Sequence, residues 1–175
     1  MNLKLILPIK KVKINGKDIS IPKLGIKHHL LVKDVENAID ILDTIVKDIK
    51  PGLTVAEYDL MIVHLLEFNN KLKSTVNYNG ETLNINDIYI SQKLDFSYKG
   101  KTFSFKEPNR LITGTADMVL NDCYLGNQGE IDFLEMPAFV YKWVESMTKT
   151  LSIKTKNGVI SGANEIMEIF KDGEE

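Results

Sequence analysis

Three histidines, one cysteine and a scatter of carboxylates are the side chains in this sequence that could do chemistry. A zinc site needs three or four converging ligands, and His28, His29 and His64 do not supply them. His28 and His29 are adjacent, so their rings diverge on a strand or stand about 100° apart on a helix. His64 falls on the apolar face of a helix of its own. Ordinary surface or hydrogen-bonded interior histidines are expected, with no metal bound. Cys123 would need a nearby cation, base or helix N-terminus to become a reactive thiolate. Its neighbours are Asp122 and Tyr124 near a helix C-terminus, where the dipole disfavours that charge, so a buried inert thiol is expected. Carboxylate pairs such as Asp40 with Asp43, Asp117 with Asp122, or Glu130 with Asp132 are the residue types of glycoside hydrolysis. Nothing selects one pair, and all three read as solvated. No glycine-rich phosphate loop with its Lys-Ser/Thr ending occurs. No catalytic residue and no cofactor is assigned.

Composition narrows the classes that remain. The 175 residues are 43% hydrophobic and 26% charged, enough for one domain with a buried core. Basic and acidic side chains number 22 and 24, a near balance that argues against nucleic acid as a partner. A single cysteine excludes an internal disulfide framework. No apolar run of about 18 residues is present to span a membrane. The opening MNLKLILPIKKVKING lacks the apolar length and small-residue cleavage site of a signal peptide. A soluble, cytosol-made protein is expected. Arg110 is the one arginine, which reflects AT-rich codon usage and leaves no bidentate clamps for phosphate or carboxylate. Lys10, Lys11, Lys13 and Lys17 form a basic patch that a solvated strand edge explains.

The elements that must position these groups can be read from periodicity. Val12 to Ile14 and Asp18 to Ile21 alternate around Asn15-Gly16-Lys17, a hairpin signal. Leu24 to Lys33 is short, basic and apolar, and its state stays open. Val35, Ala38, Ile39, Leu42, Ile45, Val46 and Ile49 predict a helix with Asp34 at its cap. Thr54 and Glu57 match a capping box. It opens a helix whose wide apolar face, Tyr58, Met61, Ile62, Leu65, Phe68 and Leu72, makes it central, with Asp59 and Glu67 on its solvent side. From Thr75 to Lys106 the period is two, predicting a small antiparallel meander of three or four strands. Leu111 to Leu125 and Glu135 to Lys149 read as helices. A hairpin around Asn157-Gly158 and a short helix from Ala163 to Phe170 end the chain. The fold class is α+β: an N-terminal β-hairpin, a helical core, a small antiparallel β-meander, and C-terminal helices with a short hairpin. Residues 1–175 form a single domain on this reading, with 75–106 a semi-independent β insert.

The order of segments carries a resemblance. An LP…NGK leader with a strand pair precedes the lysine-bearing Leu24-Gly25-Ile26-Lys27-His28-His29-Leu30-Leu31. A helix, Pro51-Gly52-Leu53-Thr54, Ala56-Glu57-Tyr58-Asp59-Leu60, His64-Leu65-Leu66-Glu67-Phe68-Asn69 and a β-rich segment follow. Over roughly Leu7 to Phe105 this resembles the small baseplate hub proteins of T-even-type contractile phages, the hub assembly and distal hub subunits. The resemblance implies a structural or assembly component of the tail baseplate in the virion, with no catalytic residues, that acts by docking to other baseplate or tail proteins. Copies of itself are a further expected partner. The alternatives are a small tail-associated hydrolase using a carboxylate pair and a transient assembly chaperone.

Docking needs exposed anchors, and aromatics are enriched among interface hot spots. The residues expected to supply them are Tyr89, Phe96, Tyr98, Phe103 and Phe105 on the sheet, and Tyr141 and Trp143 on the late helix. Phe96 and Tyr98 share a face at spacing two, as do Phe103 and Phe105. One of these pairs is therefore expected to face a partner.

Overall fold

Asn15 and Gly16 take φ of 48° and 79°, the left-handed pair that lets a two-residue turn follow the twist of its strands. They join β1 (Ile9–Ile14) to β2 (Lys17–Pro22) with Ile14 opposite Lys17. The structure is a computed structural model in which residues 7–109 and 114–172 are described. Alternation turns Val12, Ile14, Ile19 and Ile21 inward, together with Lys10 and Lys17 at the two ends of the hairpin. The undecided stretch after it is a seven-residue helix, α1 (Ile26–Val32).

Helix α2 (Ala38–Ile49) starts later than the periodicity predicts. Asn37, not Asp34, is its cap, because the Asn37 side chain accepts the Ile39 N–H at 2.8 Å. Helix α3 (Val55–Phe68) opens on the expected capping box: Thr54 Oγ1 accepts from Glu57 N–H, and the Glu57 carboxylate accepts from Thr54 N–H at 3.0 Å. Met61, Val63 and Leu65 are fully buried and Ile62 nearly so, which makes α3 the central helix. Its acidic residues are not on a solvent face. Thr150 donates to Asp59 at 2.6 Å, and Lys10 pairs with Glu67 at 2.5 Å.

The predicted meander is the clearest correction. Hairpin β3 (Thr75–Tyr78)–β4 (Glu81–Asn84) and hairpin β6 (Asp95–Tyr98)–β7 (Lys101–Ser104) are separate two-stranded sheets. Between them β5 (Tyr89–Ile90) pairs with β8 (Leu151–Thr155), which also pairs with β9 (Gly158–Ser161). The 3-10 turn Ile85–Asp87, capped by Asn84, redirects the chain away from β4. Ser91 and Gln92 then bond the Thr150 carbonyl. Period two reports that residues are extended, not which strand they meet.

Two further boundaries move. Helix α4 is Ala116–Cys123, after Gly114 at φ 149°; residues 111–113 of the predicted helix lie outside the described residues. The late helix is split into 3-10 turns Phe133–Glu135 and Ala138–Val140, then α5 (Tyr141–Thr148). Pro137 enforces the break by holding Met136 extended, with ψ 152°. Helix α6 (Ala163–Asp172) follows β9.

Two hydrophobic clusters result. The first joins the hairpin β1–β2, α2, α3, β3–β4, β8 and α6 around Ile14, Met61, Leu65, Ile153 and Phe170. The second gathers Phe103, Phe105, Val119, Leu120, Cys123, Phe133, Val140, Trp143 and Met147. The stretch 75–106 is shared between them: Val76, Leu83, Ile85 and Ile88 enter the first, Phe103 and Phe105 the second. Among the described residues no helix is long and apolar enough to cross a membrane.

Candidate docking surfaces

His28, His64 and Cys123 are buried in the structure. His28 is buried in α1, where its Nδ1 accepts the Gly25 N–H at 3.1 Å. His64 is buried under the hairpin with Lys10 Nζ 3.5 Å from its Nδ1. Burial first, and the Lys10 charge second, push its pKa down to about 4, so the ring is neutral. Burial also raises the Cys123 thiol above its ordinary range, away from thiolate chemistry. Among the described residues no cluster of three histidine, cysteine or acidic side chains could hold a metal ion.

Carboxylates latch the hairpin to α3. Glu57, buried, accepts from Lys17 at 2.8 Å and from Asn15 at 3.2 Å. Burial would raise its pKa, but the Lys17, Thr54 and Asn15 hydrogen bonds outweigh it and hold the group below the usual carboxylate range. Glu67 is held low in the same balance by Lys10 and Ser74. The paired acids that would serve hydrolysis are elsewhere. Asp43 bonds Lys47, Asp132 caps the Leu134 N–H, and Asp40, Asp122 and Glu130 are exposed.

Strand register decides the fate of the aromatic anchors. Phe96 lies opposite Phe103, so the pairs Phe96/Tyr98 and Phe103/Phe105 share one face and all four turn toward the second cluster. Phe96 stacks on Trp143 at 5.0 Å and 10° between planes, and meets Phe105 edge-on at 5.9 Å. Phe103 and Phe105 close on Trp143 and Tyr124. Phe103, Phe105 and Trp143 are buried core, not anchors, while Phe96 and Tyr98 are half-buried against it. Tyr89, 37% exposed, and Tyr141, 59% exposed, are the two of the seven that face outward.

The larger exposed apolar surface lies where sequence reasoning placed nothing. Helix α1 buries one side chain, His28, and exposes Ile26 at 79%, Leu30 at 59% and Leu31 at 41%. Leu24, Leu7 and Ile9 are exposed beside it. Around the second cluster Leu134 and Phe139 are exposed next to Tyr141. A signal existed in the apolar positions 24, 26, 30 and 31. Ile26 and Leu30, four residues apart, share one side of α1, and His28 on the opposite side is the residue it buries.

The described chain is an α+β fold that leaves several large apolar side chains at its surface. The chain belongs to the baseplate hub distal subunit family, whose model matches residues 21–170. It is 44% identical over 178 residues to a baseplate hub assembly protein of Enterobacteria phage T4, covering 98% of this chain and all of that protein. No solved structure matches it. The chain is a structural or assembly component of the baseplate hub of a contractile phage tail, and its place is the virion tail baseplate.

Proposed function

We propose that the chain is a standing subunit at the distal part of the hub, retained by docking to other baseplate proteins, and that it performs no catalysis. The observation that carries this reading is α1, a helix that shields one histidine and displays three large aliphatic side chains to water. A monomer gains nothing from that arrangement, whereas an interface core is rich in such groups. Tyr89 and Tyr141 add exposed aromatic contacts, and Phe96 and Tyr98 add their half-exposed edges. The transient chaperone and the hydrolase are the competing readings. Asp43 of α2 is already engaged by Lys47, and Glu130 and Asp132 line an open groove with Asn121 and Tyr124 rather than an enclosed site.

Quantitative mass spectrometry of purified mature tails separates the readings. A standing subunit appears at a fixed copy number per particle, equal in assembly intermediates and finished tails. Presence in intermediates with loss from mature tails would assign it to transient assembly instead.

A further inference from the structure

Lysines from three distant parts of the chain line one groove. Lys23 lies between β2 and α1, Lys71 and Lys73 lie in the loop after α3, and Lys171 is in the last turn of α6. Backbone hydrogen bonds bring them together. Helix α3 ends on Asn70 at φ 60°, with the Asn70 N–H on the Glu67 carbonyl and the Lys71 N–H on the Leu66 carbonyl. This left-handed termination fixes where Lys71 stands. The Lys73 N–H bonds the Phe170 carbonyl at 2.9 Å and draws the loop onto the end of α6. Lys23 donates to the Phe68 carbonyl and lies 4.6 Å over that ring. Hairpin β3–β4 adds a polar wall, where exposed Thr75 and Asn77 share one side and Thr82 pairs opposite Asn77.

The charge of this groove is not answered from within. Glu67 is the one carboxylate among its described lining residues, and Lys10 at 2.5 Å and Ser74 at 2.7 Å already hold it. Lys23, Lys71 and Lys171 pair with no described carboxylate, and Lys71 and Lys171 are exposed. The chain as a whole carries 24 acidic side chains against 22 basic ones, so carboxylates are not scarce. A lysine at a helix C-terminus offsets the dipole, which accounts for Lys23 on the Phe68 carbonyl but not for four lysines on one groove. Like charges gathered in a cleft raise its potential and draw counter-charge into it.

We infer that this groove receives an acidic peptide segment of a neighbouring protein. The inference rests on the reading of the chain as a docked subunit and adds a second site, of different chemistry, to the apolar α1 face. The groove holds about 1020 Å³, more room than one small anion fills. Its hydroxyl and amide groups at Thr75, Asn77 and Thr82 can bond side-chain carboxylates or the peptide backbone between them. Nucleic acid fits it less well. No arginine is among the lining residues to fork onto phosphate. Its one ring, Phe68, is covered by Lys23, which leaves no platform for a base. A membrane surface fits less well too, because Leu72 and Val76 in the groove are buried and offer nothing to insert. A charged contact of this kind steers encounter and fixes register, while an apolar one such as α1 supplies affinity.

Fluorescence anisotropy on the full chain tests the inference, with a labelled peptide of alternating glutamate and serine as the probe and near-UV circular dichroism as the check on folding. Wild type should bind the peptide and lose at least about tenfold in affinity as salt rises from about 0.05 M to about 0.5 M. The same peptide with glutamine in place of glutamate should not bind. Lys71→Glu/Lys171→Glu should bind at least about tenfold more weakly, whereas Lys11→Glu/Lys13→Glu, exposed on β1 and outside the groove, should bind like wild type. Where the reversal fails to fold, Lys71→Gln/Lys171→Gln replaces it. The folded groove variant should also be depleted from purified tails. Equal weakening by both lysine pairs would show attraction to overall charge and overturn the inference. So would a wild type that binds no peptide, or one that binds an oligothymidylate more tightly than the peptide. Binding that emerges only when residues 173–175 are removed would assign the groove to the chain's own Glu174 and Glu175, and would overturn it as well. If the groove variant enters tails like wild type while Ile26→Ser/Leu30→Ser does not, the docking reading stands and only this partner is wrong.

Discussion

Truncating Phe103 to alanine should unfold the second cluster rather than detach the chain from its neighbours. The ring is 4% exposed and lies 5.5 Å from Trp143 and 6.5 Å from Tyr124. Deleting a buried phenylalanine costs about 3–5 kcal/mol. Part of that is the loss of aromatic pairs, worth about 0.5–1.5 kcal/mol beyond area. Tyr141→Ala, at a ring 59% exposed, should cost within about 0.5 kcal/mol. Trp143 is the sole tryptophan and sits in this cluster, so its fluorescence during urea unfolding reads the second cluster while far-UV circular dichroism reads the whole chain. The Phe103→Ala midpoint should fall by about 1–5 M urea, given slopes of about 1–3 kcal/mol/M, and the Tyr141→Ala midpoint should barely move. A Phe103→Ala protein that melts like wild type yet no longer enters tails would refute the assignment of this ring to the core.

Leu65→Ala should destabilise by about 2–5 kcal/mol, because Leu65 is wholly enclosed by the first cluster; a denaturant-measured loss under about 1 kcal/mol would reject α3 as the central helix. Thr54→Ala should cost about 1 kcal/mol by removing the cap of α3, read in the same melts. Stability should also fall with acid. His64 titrates at about 4 in the folded chain against an ordinary 6.5, so its contribution is full above pH 6.5 and is lost as pH falls toward 4, about 3 kcal/mol in all. Glu57 and Glu67, held low, lose theirs below the ordinary carboxylate range. Replacing His64 with glutamine should flatten the melting midpoint between pH 6.5 and 4; an unchanged slope there would show that His64 is not the group responsible.

Local chemistry was legible in the sequence where a residue settles its own backbone. Asn15-Gly16 announced the first hairpin, and Thr54 with Glu57 announced the start of α3. Nonlocal pairing was not legible. Tyr89-Ile90 alternates like its neighbours but pairs with a strand about 60 residues away, and no local pattern encodes that distance. Register was equally hidden: the Phe96–Phe103 pairing put four aromatics on one face and turned expected anchors into core. Met136-Pro137 could have been read as a break, since the residue before proline resists helix. The docking surface at α1 was obscured because apolar residues ordinarily argue for burial. Here α1 turns His28 inward and leaves Ile26 and Leu30, on its other side, exposed.

Competition for places in the particle tests docking through α1 most directly. Wild type and Ile26→Ser/Leu30→Ser would be co-expressed at equal level during infection by a phage lacking its own copy, and their ratio measured in the soluble lysate and in purified tails. Burying two such side chains is worth about 3–6 kcal/mol. The variant should therefore be equally abundant and folded in the lysate but depleted at least about tenfold in tails, as loss of about 1.4 kcal/mol already suffices for that. Equal incorporation of the folded variant would contradict docking through this face.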